Sequence, residues 1–163
     1  MVELLSDLAP DLIVVSCFPW RLSAEILDIP RFGAINVHPS LLPRHRGPDP
    51  LFWTFRQGEL QTGFSIHLVT EELDAGPMIA QMALPLDAPV EGVKVEQRLA
   101  RMAASILPSI VRDLAGGGVV PKPQDEALSS YEGWPADSDL LMSTDWPVER
   151  VLRFVTGVPS LGY

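Results

Sequence analysis

Cysteine is all but absent. Cys17 is the single thiol in 163 residues, so no intrachain disulfide can form, and a reducing, cytoplasmic setting is expected. Its place after the apolar Leu12–Val15 run reads as a small buried hydrophobe rather than a nucleophile. Basic residues are scarce: Lys plus Arg number 12 against 21 Asp plus Glu, a net charge of −9. A phosphate-backbone partner needs a basic face to release counterions, so extensive nucleic-acid contact is not expected. Arg44, His45 and Arg46 form one local basic cluster, which suits a solvated turn and an anionic partner about equally. Long apolar runs are missing as well. None reaches the roughly 18 residues of a membrane span, so no membrane partner is expected. The start, Met1-Val2-Glu3-Leu4-Leu5-Ser6-Asp7, has acids where a secretory leader has bases. No internal repeat and no low-complexity tract is evident.

What the chain does have is an ordinary globular balance, 47% apolar and 20% charged, at a length that suits one compact domain. Leu4–Leu8 reads as the end of a short helix and Leu12–Val15 as a buried strand of the parallel type. Phe18-Pro19-Trp20 reads as a loop, and Ser23 as the N-cap of a short helix to Leu27. Gly33–Val37 is the next strand. Pro48 or Pro50 opens a helix that ends at Gly58. Phe64–Val69 and Met78–Leu86 are further strands. Val93–Leu114 is the longest helix, with Leu99, Met102, Ala103, Ile106 and Ile110 at helical spacing and Pro108 expected to kink it. After Val120 the chain turns proline-rich and acidic. Leu140–Trp146 suits a short strand or a turn, and Pro147–Val155 a final helix. Strands alternating with helices predict an α/β fold with a mostly parallel, open, Rossmann-like sheet. Residues 1–120 are expected to be its core and 121–163 an irregular tail with a helix.

The chemistry concentrates between Ile35 and Pro77. Asn36 and His38 sit two apart at the carboxyl end of a strand, so they face one side, and ligands of parallel sheets bind beyond such ends. Asp74 lies past the next strand, in a loop closed by Gly76-Pro77. A carboxamide, an imidazole and a carboxylate together can stabilise an oxyanion and move a proton. Singly, each has a plain alternative: a turn residue for Asn36, a satisfied core histidine for His38, and an Asx-turn for Asp74. His67, in mid-strand, is assigned to packing. No Gly-x-Ser-x-Gly elbow surrounds Ser40, which argues against a serine hydrolase.

Asn36-Val37-His38-Pro39-Ser40-Leu41-Leu42-Pro43, then Arg46-Gly47-Pro48, Thr62-Gly63 and Leu73-Asp74-Ala75-Gly76-Pro77 together resemble the formyltransferases that use 10-formyltetrahydrofolate. The similarity is to the catalytic domain shared by methionyl-tRNA, glycinamide-ribonucleotide and amino-sugar formyltransferases, and it is strongest from Pro10 to Leu86. The resemblance implies transfer of a formyl group to a primary amine with no metal and no covalent nucleophile. It implies that Asn36 donates to the formyl oxygen, that charged His38 stabilises the oxyanion, and that Asp74 fixes His38 and relays a proton. It places the folate slot at Phe18, Trp20, Leu22, Val69 and Leu73; from the residues alone, Phe18 and Trp20 serve equally as core aromatics. Ser40, Leu41, Arg44, Arg46 and Gly47 are then expected to shape the acceptor side.

The family carries roughly half a sheet ahead of the point where this sequence starts, and a further domain beyond its tail. The expectation is therefore an N-terminally truncated core, its open sheet edge covered by a homodimer. An amino-sugar nucleotide is the first acceptor expected, from the acidic balance and the tail around Tyr131 and Asp145-Trp146-Pro147. Methionyl-tRNA, hydrolysis of 10-formyltetrahydrofolate, and an inactive folate-binding fragment are the alternatives.

Overall fold

The alternating apolar runs build a sheet with two unlike faces. In the computed structural model, which describes residues 1–163 except Pro19 and Ala88, the order is α1 (Val2–Leu8), β1 (Ile13–Ser16), α2 (Ala24–Leu27), β2 (Ala34–His38), α3 (Pro50–Gln57), β3 (Gln61–Leu68), β4 (Met78–Pro85), α4 (Gly92–Ala115) and α5 (Val148–Gly157). The middle of the Phe18-Pro19-Trp20 loop thus lies outside the described residues. The sheet order is β1-β2-β3-β4.

The expected α/β sheet is there, with mixed strand direction. β1 and β2 are parallel, with α2 between them in sequence, while β2/β3 and β3/β4 are antiparallel. The β3–β4 connection, 69–77, is shorter than the dozen or so residues a parallel crossover needs, so β4 must return antiparallel. Apolar runs do not carry direction; connection lengths do.

Ile35 opposes Leu68 and Val37 opposes Ile66, and with Phe64 they form the apolar face. That face is covered by Leu51, Phe52 and Phe55 of α3 and by Val95, Leu99, Ala103 and Ile110 of α4. α3 starts with Pro50 at its first turn, the Asp49 carboxylate accepting from the Phe52 N–H, and stops at left-handed Gly58. α4 runs unbroken across Pro108. β1 is less buried than its composition predicts: Val14 is exposed, because the strand lies at the sheet edge with no further described strand beside it.

The segment after residue 120 packs back on the core. Lys122 bridges Met78 and Tyr131 bridges Arg46. Residues 141–146 form no strand and turn instead into α5. α5 packs on α3 through Phe154 against Phe52, while the Arg56 and Arg150 guanidinium groups lie over the Trp146 ring at 4.5 and 3.9 Å.

At Gly157 the α5 backbone comes so close to α3 that an added Cβ would sit 2.6 Å from the buried Phe55 ring. Gly157→Ala should therefore destabilise the fold by about 1–3 kcal/mol in urea unfolding, the overpacking outweighing any gain in helix propensity. Gly133→Ala, with open space around it, should change stability by less than about 0.5 kcal/mol. Equal midpoints for the two variants would contradict this packing.

Candidate active site

The second sheet face carries polar groups in register. Asn36 and His38 project from the same side of β2, and antiparallel pairing sets His67 opposite Asn36 and Ser65 opposite His38. Asp74 reaches this face from the loop after β3, in left-handed backbone at φ 54°. Its Oδ1 accepts from Asn36 Nδ2 at 3.1 Å, and lies 3.5 Å from His67 Nε2 and 3.6 Å from His38 Nδ1. Its Oδ2 accepts from the Gly47 N–H at 2.9 Å. Gly47 has φ 120°, and a Cβ there would collide with the Glu132 carbonyl, so only glycine can bring that N–H to the carboxylate.

The hydrogen-bond partners fix the rings. His67 Nδ1 donates to the Leu68 carbonyl at 2.8 Å, which leaves its Nε2 between Asn36 Nδ2 at 3.3 Å and Asp74 Oδ1 at 3.5 Å. His38 Nε2 likewise donates to the His45 carbonyl at 2.8 Å. The free lone pair of neutral His38 is then on Nδ1, facing Asp74. Burial pushes the His38 imidazole below its ordinary value, although the Asp74 carboxylate acts to raise it. Burial alone would raise the Asp74 carboxyl, but the His67 ring, the His38 ring and the Gly47 N–H hold it below the usual carboxylate range. At rest the pair is a neutral imidazole beside an ionised carboxylate. The imidazolium expected at position 38 is thus not its resting form at neutral pH.

Asn36, His38, His67 and Asp74 stand at one wall of a cavity of about 330 Å3. Phe18, Trp20, Leu22, Val69, Leu73 and Gly47 line it too. Phe18 and Trp20 are not core aromatics: they are exposed and meet edge to face, ring centres 5.5 Å apart. Cys17 is exposed at the cavity rather than buried, at φ 53°, because it lies just past the end of β1.

Four residues expected on the acceptor side lie away from the cavity lining. The Ser40 hydroxyl donates to the Arg44 carbonyl, and Leu41 packs onto Gly63, whose missing side chain makes room for it. Arg44 pairs with Glu59. Arg46 is buried, donating to Gln124 and to both Glu126 oxygens. The basic cluster thus divides: Arg44 is exposed to solvent, and Arg46 is buried. Its third member, His45, is buried with Nε2 3.0 Å from Glu59, so acids close it off on each side.

His67 belongs with the site and not only with packing. The signal was in β3: Phe64, Ile66 and Leu68 fill one face, so Gly63, Ser65 and His67 share the other, where apolar packing is not being served. Trp134, Asp49 and Glu96 also line the cavity, and nothing in the local sequence marks them. Among the described residues no group of three or more His, Cys, Asp or Glu is placed to hold a metal ion, and no helix is long and apolar enough to cross a membrane.

A family profile described as formyl transferase matches residues 1–111. A methionyl-tRNA formyltransferase of Pelobacter propionicus is 42% identical over 98% of the chain, which covers 50% of that protein. The chain thus spans about half the length of the curated relatives it matches. Among solved structures, HypX from Aquifex aeolicus with tetrahydrofolic acid superposes at TM-score 0.81 and 21% identity, over 95% of this chain and 27% of that one. The formyltransferase PseJ from Anoxybacillus kamchatkensis, with a formamido-sugar nucleotide and tetrahydrofolate, does so at 0.73 and 23%, over 88% and 77%. These structural likenesses show the fold. The profile match over residues 1–111, more than half the chain, shows the family: this chain belongs to the formyl transferases.

Proposed function

We propose that this chain carries the reaction centre of a formyl transfer, in which 10-formyltetrahydrofolate supplies the one-carbon unit and a primary amine receives it. One observation supports the reading above the others: Asn36, His38, His67 and Asp74 converge on a single cavity wall. The cavity is within the roughly 300–1,000 Å3 of small-molecule sites, and its aromatic and aliphatic lining suits a flat heteroaromatic ring.

The residues divide the work by what they can still donate or accept. Asn36 keeps one N–H on Asp74 and has a longer contact to His67, at 3.3 Å. That second N–H can turn to the formyl oxygen as negative charge grows there. His38 offers its Nδ1 lone pair to a proton leaving the attacking amine, and Asp74 beside it stabilises the cation that results. His38 then gives that proton to the departing nitrogen. Before the donor binds, the contact to His67 holds the Asn36 amide against β3; once its second N–H turns to the formyl oxygen, the bond to Asp74 keeps it in place.

For the acceptor we favour methionyl-tRNA over an amino-sugar nucleotide, because the methionyl-tRNA formyltransferases reach 42% identity along nearly all of this chain. The amino-sugar reading keeps one observation in its favour, a chain of net charge −9, which is a poor match to the extended phosphate backbone of an RNA. Parallel assays with radiolabelled 10-formyl donor separate the readings: label in methionyl-tRNA, label in an amino-sugar nucleotide, or free formate without acceptor for a hydrolase. Label in none of the three would contradict the proposal. The setting proposed for the reaction is cytoplasmic.

Replacing one preorganised donor costs about 10²–10³ in rate. Asn36→Ala, His38→Ala and Asp74→Ala should each lose at least that much formyl transfer while far-ultraviolet circular dichroism is unchanged. Near-normal turnover in all three would end the assignment.

Stability should also depend on pH in a defined sense. The folded pKa of His38 is below its unfolded value of about 6.5, so just below that pH the unfolded chain binds a proton at this position that the folded chain resists. Stability is therefore full above pH ~6.5 and falls on acidification. The depressed Asp74 adds a second loss of the same sign near and below pH ~4. Urea midpoints measured from pH 7.5 to 5 should fall, and should fall less in His38→Gln. An unaltered slope in that variant would show that His38 is not held neutral.

A further inference from the structure

The tail crosses the site at one point that the proposed chemistry does not use. Gln124, half-buried in the segment after β4 and α4, spends its whole carboxamide there. Its Nε2 donates to the Asp74 carbonyl and to the Gly76 carbonyl, each at 2.8 Å. Its Oε1 accepts from Arg46 Nε at 3.2 Å and from the second Arg46 nitrogen at 2.8 Å. Arg46 is followed by Gly47, whose N–H holds Asp74 Oδ2. These bonds close a ring: the Asp74 backbone to Gln124, Gln124 to Arg46, and the Arg46-Gly47 backbone to the Asp74 carboxylate.

A ring of this kind has mechanical consequences. Asp74 stands at φ 54°, a left-handed conformation that an Asp tolerates better than most residues and that other local conformations compete with unless its neighbours fix it. Its loop, 69–77, has no regular structure of its own. With its carbonyl and that of Gly76 capped by one amide, the 74–75 and 76–77 peptide planes cannot rotate independently.

We propose that Gln124 is a positioning residue for Asp74: its carboxamide fixes the left-handed turn and ties it to Arg46-Gly47, so that the carboxylate stays against Asn36, His38 and His67. Its functional meaning rests on the formyl-transfer reading. The placement of the carboxylate does not, and can be read without turnover.

The readout is the ring of His38. The titratable groups that face it are Asp74 at Nδ1, the His67 ring 6.5 Å away by centroids, and His45, whose carbonyl takes its Nε2 proton. Of these only Asp74 raises its affinity for a proton by charge. Nuclear magnetic resonance titration of the 13Cε1-labelled histidines in the full chain should place His38 lower in Asp74→Asn than in the parent. Gln124→Ala should move it in the same direction, the carboxylate having been released. Gln124→Met keeps the volume and adds no charge but loses both donations, so it should behave like Gln124→Ala. Glu126→Ala removes an Arg46 partner without touching the carboxamide, and should leave His38 where it is.

If both Gln124 variants titrate at the parental value while Asp74→Asn shifts, the inference is overturned. It is overturned equally if Asp74→Asn does not shift His38, since then no carboxylate is held there to be positioned. In turnover, Gln124→Ala should lose about 10- to 100-fold in kcat with a smaller change in KM for the folate, as expected when a reacting group is misplaced and the folate slot itself is intact. A shifted His38 in a chain that transfers no formyl group would support the positioning and count against formyl transfer.

Discussion

The Asp74 carboxylate is the point on which the other parts depend. It is buried, and burying an ionised group is costly unless hydrogen bonds compensate. Here the compensation is spread over the whole site. Asn36 and Gly47 donate to separate oxygens, and the His67 ring lies 3.5 Å away and lowers the carboxyl pKa. Because those groups come from β2, β3 and the 39–49 loop, the charge cannot be satisfied unless these and the 69–77 loop are all in place. The same burial that makes the carboxylate expensive depresses the pKa of His38, and so leaves a lone pair on Nδ1 at neutral pH. Stability and proton chemistry are set by one arrangement.

That arrangement needs a sheet whose faces differ. The apolar face of β2 and β3 is buried under α3 and α4 and holds the strands rigid, while the polar face is left for Asn36, His38, Ser65 and His67. Ser65 does the structural part of the polar work: its hydroxyl donates to the Ser40 carbonyl and accepts from the Leu42 N–H, which pins the loop after β2 over the sheet. The tail then closes over that loop through Arg46, Ser130 and Glu132. Residues beyond 120 are in this sense part of the site's support and not only a connection.

Much of this was legible in the sequence. Each of the four strands lies within about three residues of where its apolar run and flanking Gly and Pro put it, and α3 was marked by Pro50 at one end and Gly58 at the other. Asn36 and His38 could be set on one side of a strand because spacing of two is unambiguous in extended chain. Register could not be read. That Asn36 meets His67 depends on which β3 residue faces it, and nothing local encodes that pairing. Strand direction escaped for a similar reason, being fixed by connection length rather than by the runs themselves. The basic cluster reads both ways because its acidic partners, Glu59, Glu126 and Glu132, are not its neighbours in sequence, and charge pairing across such separations has no sequence signature. Val14 misled because burial of a strand depends on its neighbours, not on its own composition.

The central claim is that these side chains surround one reacting carbon. A crystal structure of the chain soaked with a stable 10-formyltetrahydrofolate analogue tests it most directly. The account predicts the heteroaromatic ring between Trp20 and Leu73, with the formyl oxygen within hydrogen-bond reach of Asn36 Nδ2 and the formyl carbon about 3–4 Å from His38 Nδ1. An analogue seated elsewhere, or seated in the cavity with its formyl group pointing away from Asp74, would contradict it.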